Sequence, residues 1–219
     1  MRKTSRIISL LFIIGCLFMM SSCKYSNYSK EEKQILKEYE KLSTNDFNEK
    51  YEYLKDDKNV FVSISYEDLI KKLDSETFIL YVGGAWCPNC QAVVKYINAT
   101  AKELNIDQVY NFDTRISSVK TSEKDIRNCN DAAQESLYRA FIEALGYVNP
   151  DGITTENTDI ARLAVPAVLA VKNGEIVDVL VKEYFYNEEK DLLYIMGDEE
   201  TDYKEEYLAS LKKLMLSIK

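Results

Sequence analysis

Two thiols, Cys87 and Cys90, are the side chains of this chain best placed for covalent chemistry, in the run Trp86-Cys87-Pro88-Asn89-Cys90. Cysteine reacts as its thiolate, so the surroundings must favour a negative sulfur. Upstream, residues 78–82 are apolar and lead in through Gly83-Gly84-Ala85. Downstream, Cys90, Val93, Val94, Ile97, Ala101 and Leu104 recur at spacings of three and four, the pattern of a helix with one buried face. The pair is therefore expected where a buried strand ends and a helix begins. A helix start offers unpaired N–H groups and the positive end of the peptide dipoles, and both stabilise a thiolate. Pro88 suits the first turn, where its missing N–H costs nothing. The i, i+3 spacing lets the two sulfurs meet. The chemistry this suits is thiol–disulfide exchange: Cys87 attacks a disulfide, and Cys90, one turn inside, resolves the mixed disulfide.

Two other uses of such a pair are half a zinc site and a closed structural disulfide. Tetrahedral zinc takes four ligands, chiefly cysteine and histidine. The chain has five cysteines and no histidine, so neither a metal nor a bound cofactor is expected. Lack of histidine also removes histidine-based acid–base catalysis. The net charge of −8 argues against nucleic acid as a partner.

The first residues read as a targeting segment. A basic start, Met1-Arg2-Lys3-Thr4-Ser5-Arg6, precedes an apolar stretch over 7–20 that is short for a membrane span. It ends in Met20-Ser21-Ser22-Cys23, which resembles a bacterial lipobox; Ile13-Ile14-Gly15-Cys16 fits the same pattern but would leave an apolar tail after the cut. Residues 1–22 are thus expected to be a lipoprotein signal peptide and Cys23 the acylated residue, with a plain signal peptide or an uncleaved anchor as the alternatives. The mature chain would sit outside the cytoplasm, lipid-anchored to a bacterial cell membrane. It keeps Cys87, Cys90 and Cys129, a redox pair and a bystander rather than a disulfide scaffold.

Residues 23–57 read as a tether followed by an amphipathic helix over 31–42, with Ile35, Leu36, Tyr39 and Leu42 on one side. The domain proper is expected over 58–219. A strand at 59–64 leads to Ser65, a helix N-cap with acidic residues after it. A doubly covered strand follows at 77–82, then the helix after Cys87, ending near Asn105, then a strand at 108–113. Residues 115–159 are expected to be an insertion near the active face. Its helix runs from Asp131 to Leu145 and is stopped by Gly146, and a turn follows at 149–152. Strands at 167–171 and 175–181 form a hairpin through Asn173-Gly174. After an acidic stretch at 188–202, a final helix over 203–218 turns Tyr207, Leu211, Leu214 and Ile218 inward.

Trp86 directly before the first cysteine, the Cys-x-x-Cys, Ala164-Val165-Pro166-Ala167 about eighty residues later, and the strand-turn-strand through Lys172-Asn173-Gly174-Glu175 together resemble the thioredoxin superfamily over 59–219. The resemblance implies an α/β fold, a thioredoxin-like three-layer α/β/α sandwich with a helical insertion before a cis-proline. It implies that Pro166 is that cis-proline and faces Cys87, that Trp86 shields the site, and that the backbone at Val165 pairs with substrate. It implies protein thiols or disulfides outside the cytoplasm as substrates, and a redox partner that resets the pair. Two positions depart from the family. A buried acid often lies six residues before the first cysteine, where this chain has Tyr81, and a lysine on the next strand, where it has Val109. Pro88-Asn89 matches neither the usual reductase nor the usual oxidase dipeptide. The alternative function is a weakly catalytic or non-catalytic accessory protein that holds a secreted peptide, as bacteriocin-associated relatives do.

Overall fold

The computed structural model describes residues 27–40, 51, 54, 58–115, 125–146, 159–181 and 202–219. In order, these form α1 (Lys30–Glu40), β1 (Phe61–Ser63), α2 (Tyr66–Ser75), β2 (Phe78–Val82), α3 (Pro88–Glu103), β3 (Val109–Phe112), a 3₁₀ turn (Ile126–Asn128), α4 (Ala132–Leu145), β4 (Ala167–Lys172), β5 (Glu175–Val181) and α5 (Asp202–Leu216). The signal segment with Cys16 and Cys23, the turn at 149–152 and the acidic stretch as far as residue 201 lie outside the described residues. Among the described residues, no helix is long and apolar enough to cross a membrane.

The elements start where the sequence supplies caps. Ser29 and Glu32 bond reciprocally at the head of α1, side chain to backbone N–H in each direction. Ser65 Oγ accepts from Asp68 N–H to open α2, and Asp131 accepts from the N–H groups of Ala133 and Gln134 to open α4. Gly146, at φ 62°, ends α4 in the left-handed conformation that glycine tolerates best. In the β4–β5 hairpin, Asn173 and Gly174 have φ of 53° and 82°, as a type I′ turn requires.

The strands form one five-stranded mixed sheet in the order β1-β3-β2-β4-β5. β1, β3 and β2 are parallel; β4 runs antiparallel to β2, and β5 to β4. All five residues of β2 are buried, which puts that strand in the middle of the core on both faces. The alternation along the strands separates two apolar layers. Ile79, Tyr81, Val109, Val168 and Ala170 pack with α3 and with Tyr207, Leu211, Leu214 and Met215 of α5. Leu80, Val82, Phe112, Leu169 and Val171 face Leu36 of α1, Leu69 and Leu73 of α2, and α4. Helices therefore cover both sides of a mixed α/β sheet.

Residues 132–145 form the helix expected within 115–159, and it packs into the core. Leu137, Tyr138, Phe141 and Leu145 are buried with α2 and the sheet, and the Phe141 ring lies 5.1 Å from that of Phe112. This helix is one wall of the sandwich. Helical periodicity revealed the element, but periodicity does not say which sheet a stripe will cover.

Candidate active site

The end of β2 is fixed before the first cysteine arrives. Gly83 N–H donates to Phe112 O at 3.1 Å, and Asn111 Nδ2 donates to Gly83 O at 3.1 Å. Cys87 N–H then donates to Gly84 O at 3.0 Å, and Gln91 Nε2 to Ala85 O at 2.8 Å. Cys87 becomes the N-cap of α3, and its sulfur accepts the Cys90 N–H at 3.4 Å. Pro88 takes the first helical position.

The two sulfurs meet in different surroundings. Cys87 is 7 % exposed and Cys90 0 %. The Cys90 thiol hydrogen-bonds the Cys87 sulfur. With the Cys90 and Asn89 N–H groups and the Arg127 charge, it outweighs burial and brings the Cys87 pKa down to about 7. Burial pushes the Cys90 thiol well up, and a negative Cys87 beside it pushes the same way. Near neutral pH Cys87, at the helix start, is thus at the midpoint of its ionisation, while Cys90 beneath it keeps its proton. Cys129 belongs to the apolar layer on the opposite side of the sheet, its sulfur 3.6 Å from Ile126 O. Cys87, Cys90 and Cys129 are all free thiols.

The Val165–Pro166 peptide is cis, and Val165 O lies 4.0 Å from Cys87 Sγ. The segment before it is held from α4 and the 3₁₀ turn. Tyr138 Oη accepts from Leu163 N–H at 2.7 Å and donates to Ala161 O at 3.0 Å. Arg127 Nη1 donates to Leu163 O at 2.9 Å.

Trp86 is half-buried beside the pair, with its Nε1–H donating to Asp113 Oδ1 at 2.9 Å. The Arg115 guanidinium lies 3.5 Å over its ring and that of Arg127 5.4 Å away. Gly84 has to be small, because a Cβ there would come within 2.6 Å of both Asp113 carboxylate oxygens and 2.1 Å of Trp86 Nε1. Asp125 joins the two arginines, at 3.5 Å from Arg115 Nε and 2.7 Å from Arg127 Nη2.

The structure thus brings Trp86, Cys87, Cys90, Val165 and Pro166 together, whereas Cys23 lies outside the described residues. Arg115, Asp125, Arg127, Tyr138 and Tyr51 join them without having been singled out from the sequence. An Asp-x-Arg in a polar stretch and a tyrosine among sixteen carry no distinguishing spacing. Among the described residues no cluster of His, Cys, Asp and Glu could hold a metal ion. No protein-family model matches the chain, and no curated protein matches it.

Proposed function

We propose that this protein is a thioredoxin-like thiol–disulfide oxidoreductase, anchored by lipid on Cys23 outside the cytoplasm of a bacterium and acting on secreted or surface proteins. The observation that carries the reading is Cys87 at a helix start, with its sulfur 4.0 Å from Val165 O beside the cis Val165–Pro166 peptide and Cys90 buried one turn inside; the pKa of Cys87 is shifted down and that of Cys90 up. The strand order β1-β3-β2-β4-β5 and the cis peptide before Pro166 support the thioredoxin-like assignment.

In the forward direction the Cys87 thiolate attacks one sulfur of a substrate disulfide. A Cys87–substrate S–S bond forms, the substrate S–S bond breaks, and the departing thiolate takes a proton from water. Cys90 then gives up its proton and attacks the Cys87 sulfur. The Cys87–Cys90 disulfide forms, the second substrate thiolate leaves and is protonated, and two electrons have passed to the substrate. A dithiol partner must then reduce the protein disulfide. Run in reverse, the same steps oxidise a substrate dithiol and call for a disulfide partner. Val165, with its carbonyl beside Cys87, supplies backbone against which an extended substrate segment pairs.

Insulin disulfide reduction by the wild type and by Cys87→Ser tests the reading. Activity in the wild type that is lost in Cys87→Ser supports it. A wild type no better than Cys87→Ser sinks it and favours the accessory, peptide-holding alternative. Trapping mixed disulfides on Cys90→Ser then identifies the substrate.

A further inference from the structure

Cys90 is the deeper thiol, and the exchange just described needs it to ionise. The groups that interact with it electrostatically are Cys87 at the head of α3, Tyr81 on β2, Tyr207 on α5, Arg127 in the 3₁₀ turn and Tyr51 ahead of β1. Tyr81 stands where relatives often have a carboxylate. Its ring is wholly buried, and its hydroxyl hydrogen-bonds the Cys90 sulfur. Both atoms border Gly83: a Cβ placed there would lie 2.8 Å from Cys90 Sγ and 2.8 Å from Tyr81 Oη. Behind it, Tyr51 Oη lies 3.2 Å from Tyr81 Oη, and Tyr51 is itself buried.

We propose that Tyr51 and Tyr81 form a hydrogen-bond chain that stabilises the Cys90 thiolate during resolution, with Tyr51 as a positioning residue acting through Tyr81. This rests on the exchange reading above. A phenol has one proton and accepts through its lone pairs. In the mixed disulfide, where Cys87 is no longer a thiolate that takes the Cys90 proton, the Cys90 S–H can point at Tyr81 Oη, and Tyr81 can donate onward to Tyr51. When Cys90 loses its proton, the sulfur only accepts, so Tyr81 must turn its proton to it. Tyr81 Oη then needs a donor behind it, and Tyr51 is that donor. Linked hydrogen bonds in a low-dielectric interior reinforce one another. Neither phenol takes the proton for itself, since burial raises both tyrosines well above their ordinary value. The Cys90 proton leaves to solvent, and the substrate thiolate collects one.

The test uses a small aromatic disulfide, dithiobis-nitrobenzoate, on the full chain reduced beforehand. Attack by Cys87 releases one coloured thiolate, and attack by Cys90 on the mixed disulfide releases a second. The ratio of the second rate to the first isolates resolution. Losing a hydrogen bond to a charged group corresponds to roughly one pH unit or more in the ionisation of Cys90. Each unit cuts the thiolate fraction tenfold, but the more basic sulfur is a better nucleophile, so the net slowing is about three- to fourfold per unit.

Tyr81→Phe is therefore expected to slow the second phase about threefold or more at neutral pH and to move its pH profile upward. Tyr51→Phe, which removes the hydroxyl behind Tyr81, should do the same to a lesser degree. In the Tyr81→Phe background it should do nothing further, because the chain is already cut. Equal second-phase rates and pH profiles in wild type, Tyr51→Phe and Tyr81→Phe overturn the proposal, as does full additivity in the double variant. Insulin reduction reads the parent function separately. A protein that shows the tyrosine effect on the small disulfide but reduces no protein disulfide keeps the chain and loses the function. One that reduces insulin with a tyrosine-independent second phase does the reverse.

Discussion

Asp125 grips Arg127 from two residues away, with Nε 3.0 Å from Oδ1 and Nη2 2.7 Å from Oδ2, and its own side chain is wholly buried. Burial alone would raise the Asp125 carboxyl; the bonds and charge of Arg127 more than reverse this and hold it below the usual carboxylate range. From this anchored position Arg127 reaches Leu163 O, three residues before Pro166, and its charge helps lower Cys87. One ion pair thus connects the two halves of the site.

The pair should matter to stability asymmetrically. Arg127→Met strands a buried carboxylate, for which Arg115 at 3.5 Å is a poor substitute. The expected loss is about 3–5 kcal/mol in urea denaturation. Asp125→Leu combined with Arg127→Met removes both charges and should recover part of it. The double variant should still trail the wild type, since Leu163 O has lost its donor. Equal losses in single and double variants would show that the charge pairing itself contributes nothing.

Cys87 should titrate near neutrality. Its alkylation by iodoacetamide follows the thiolate, so the rate should rise through about pH 7 and level off above it. The first cause of the lowering is the hydrogen bond from the Cys90 thiol. Cys90→Ala should shift the midpoint upward, towards the ordinary thiol value of about 8.5. Cys90→Ser, which keeps a donor, should shift it less. An unmoved midpoint in Cys90→Ala would assign the lowering to the backbone N–H groups instead.

The strand–turn–helix around Cys87 was legible because each part has its own local signal: a continuous apolar run, small residues, then a 3.6-residue period. The caps at Ser65 and Asp131 and the Asn173-Gly174 turn were legible for the same reason. The β1-β3-β2 parallel order follows less directly, since periodicity does not name a strand's neighbour. The support around the site was invisible in the sequence because its contacts are distant in it. Tyr51 and Tyr81 are 30 residues apart, and Arg127 and Leu163 36. An arginine's partner is set by the fold that delivers it. The three-residue β1 is shorter than the apolar run suggested, because Val60 N–H pairs with the Asn98 side chain rather than with a strand.

Tyr138 tests how the loop before Pro166 is held. Its hydroxyl accepts from Leu163 and donates to Ala161. Tyr138→Phe leaves the buried Leu163 N–H and the part-buried Ala161 O without that partner, a cost of about 1–3 kcal/mol. Amide exchange at Leu163 should accelerate more than at residues of β2. A uniform acceleration would mean that the hydroxyl serves global stability and not the loop.

The proposed membrane anchor rests on Cys23, which lies outside the described residues. A single acyl chain binds a bilayer only marginally, so stable anchoring needs at least two on this residue. Labelling cells with a fatty acid should mark the wild type and leave Cys23→Ala unmarked. Continued labelling of Cys23→Ala would overturn the anchor, and labelling lost in Cys16→Ala alone would move it.

The pair should also shape the pH dependence of stability in the reduced protein. Cys87 has a folded pKa of about 7, below the unfolded thiol value of about 8.5. Between these two pH values the native state has released a proton that the unfolded state still holds, so stability rises with pH. The rise is at most about 1.4 kcal/mol per pH unit, and it is lost as pH falls through the folded value. Cys90 works in the opposite sense. Its folded pKa is raised, so above the unfolded thiol value the unfolded chain releases a proton that native Cys90 keeps, and stability falls. The two together predict a maximum close to the unfolded thiol value. Urea denaturation of wild type and Cys87→Ala under reducing conditions, from pH 6 to about pH 8.5, isolates the first effect, because burial keeps Cys90 protonated in both folded proteins there; at higher pH the two differ at Cys90 as well, since Cys87 itself raises it. The advantage of the wild type should grow between pH 7 and about 8.5. A difference that stays flat across that window would mean that Cys87 ionises no more readily in the fold than in the unfolded chain, and the thiolate on which the exchange chemistry depends would be missing.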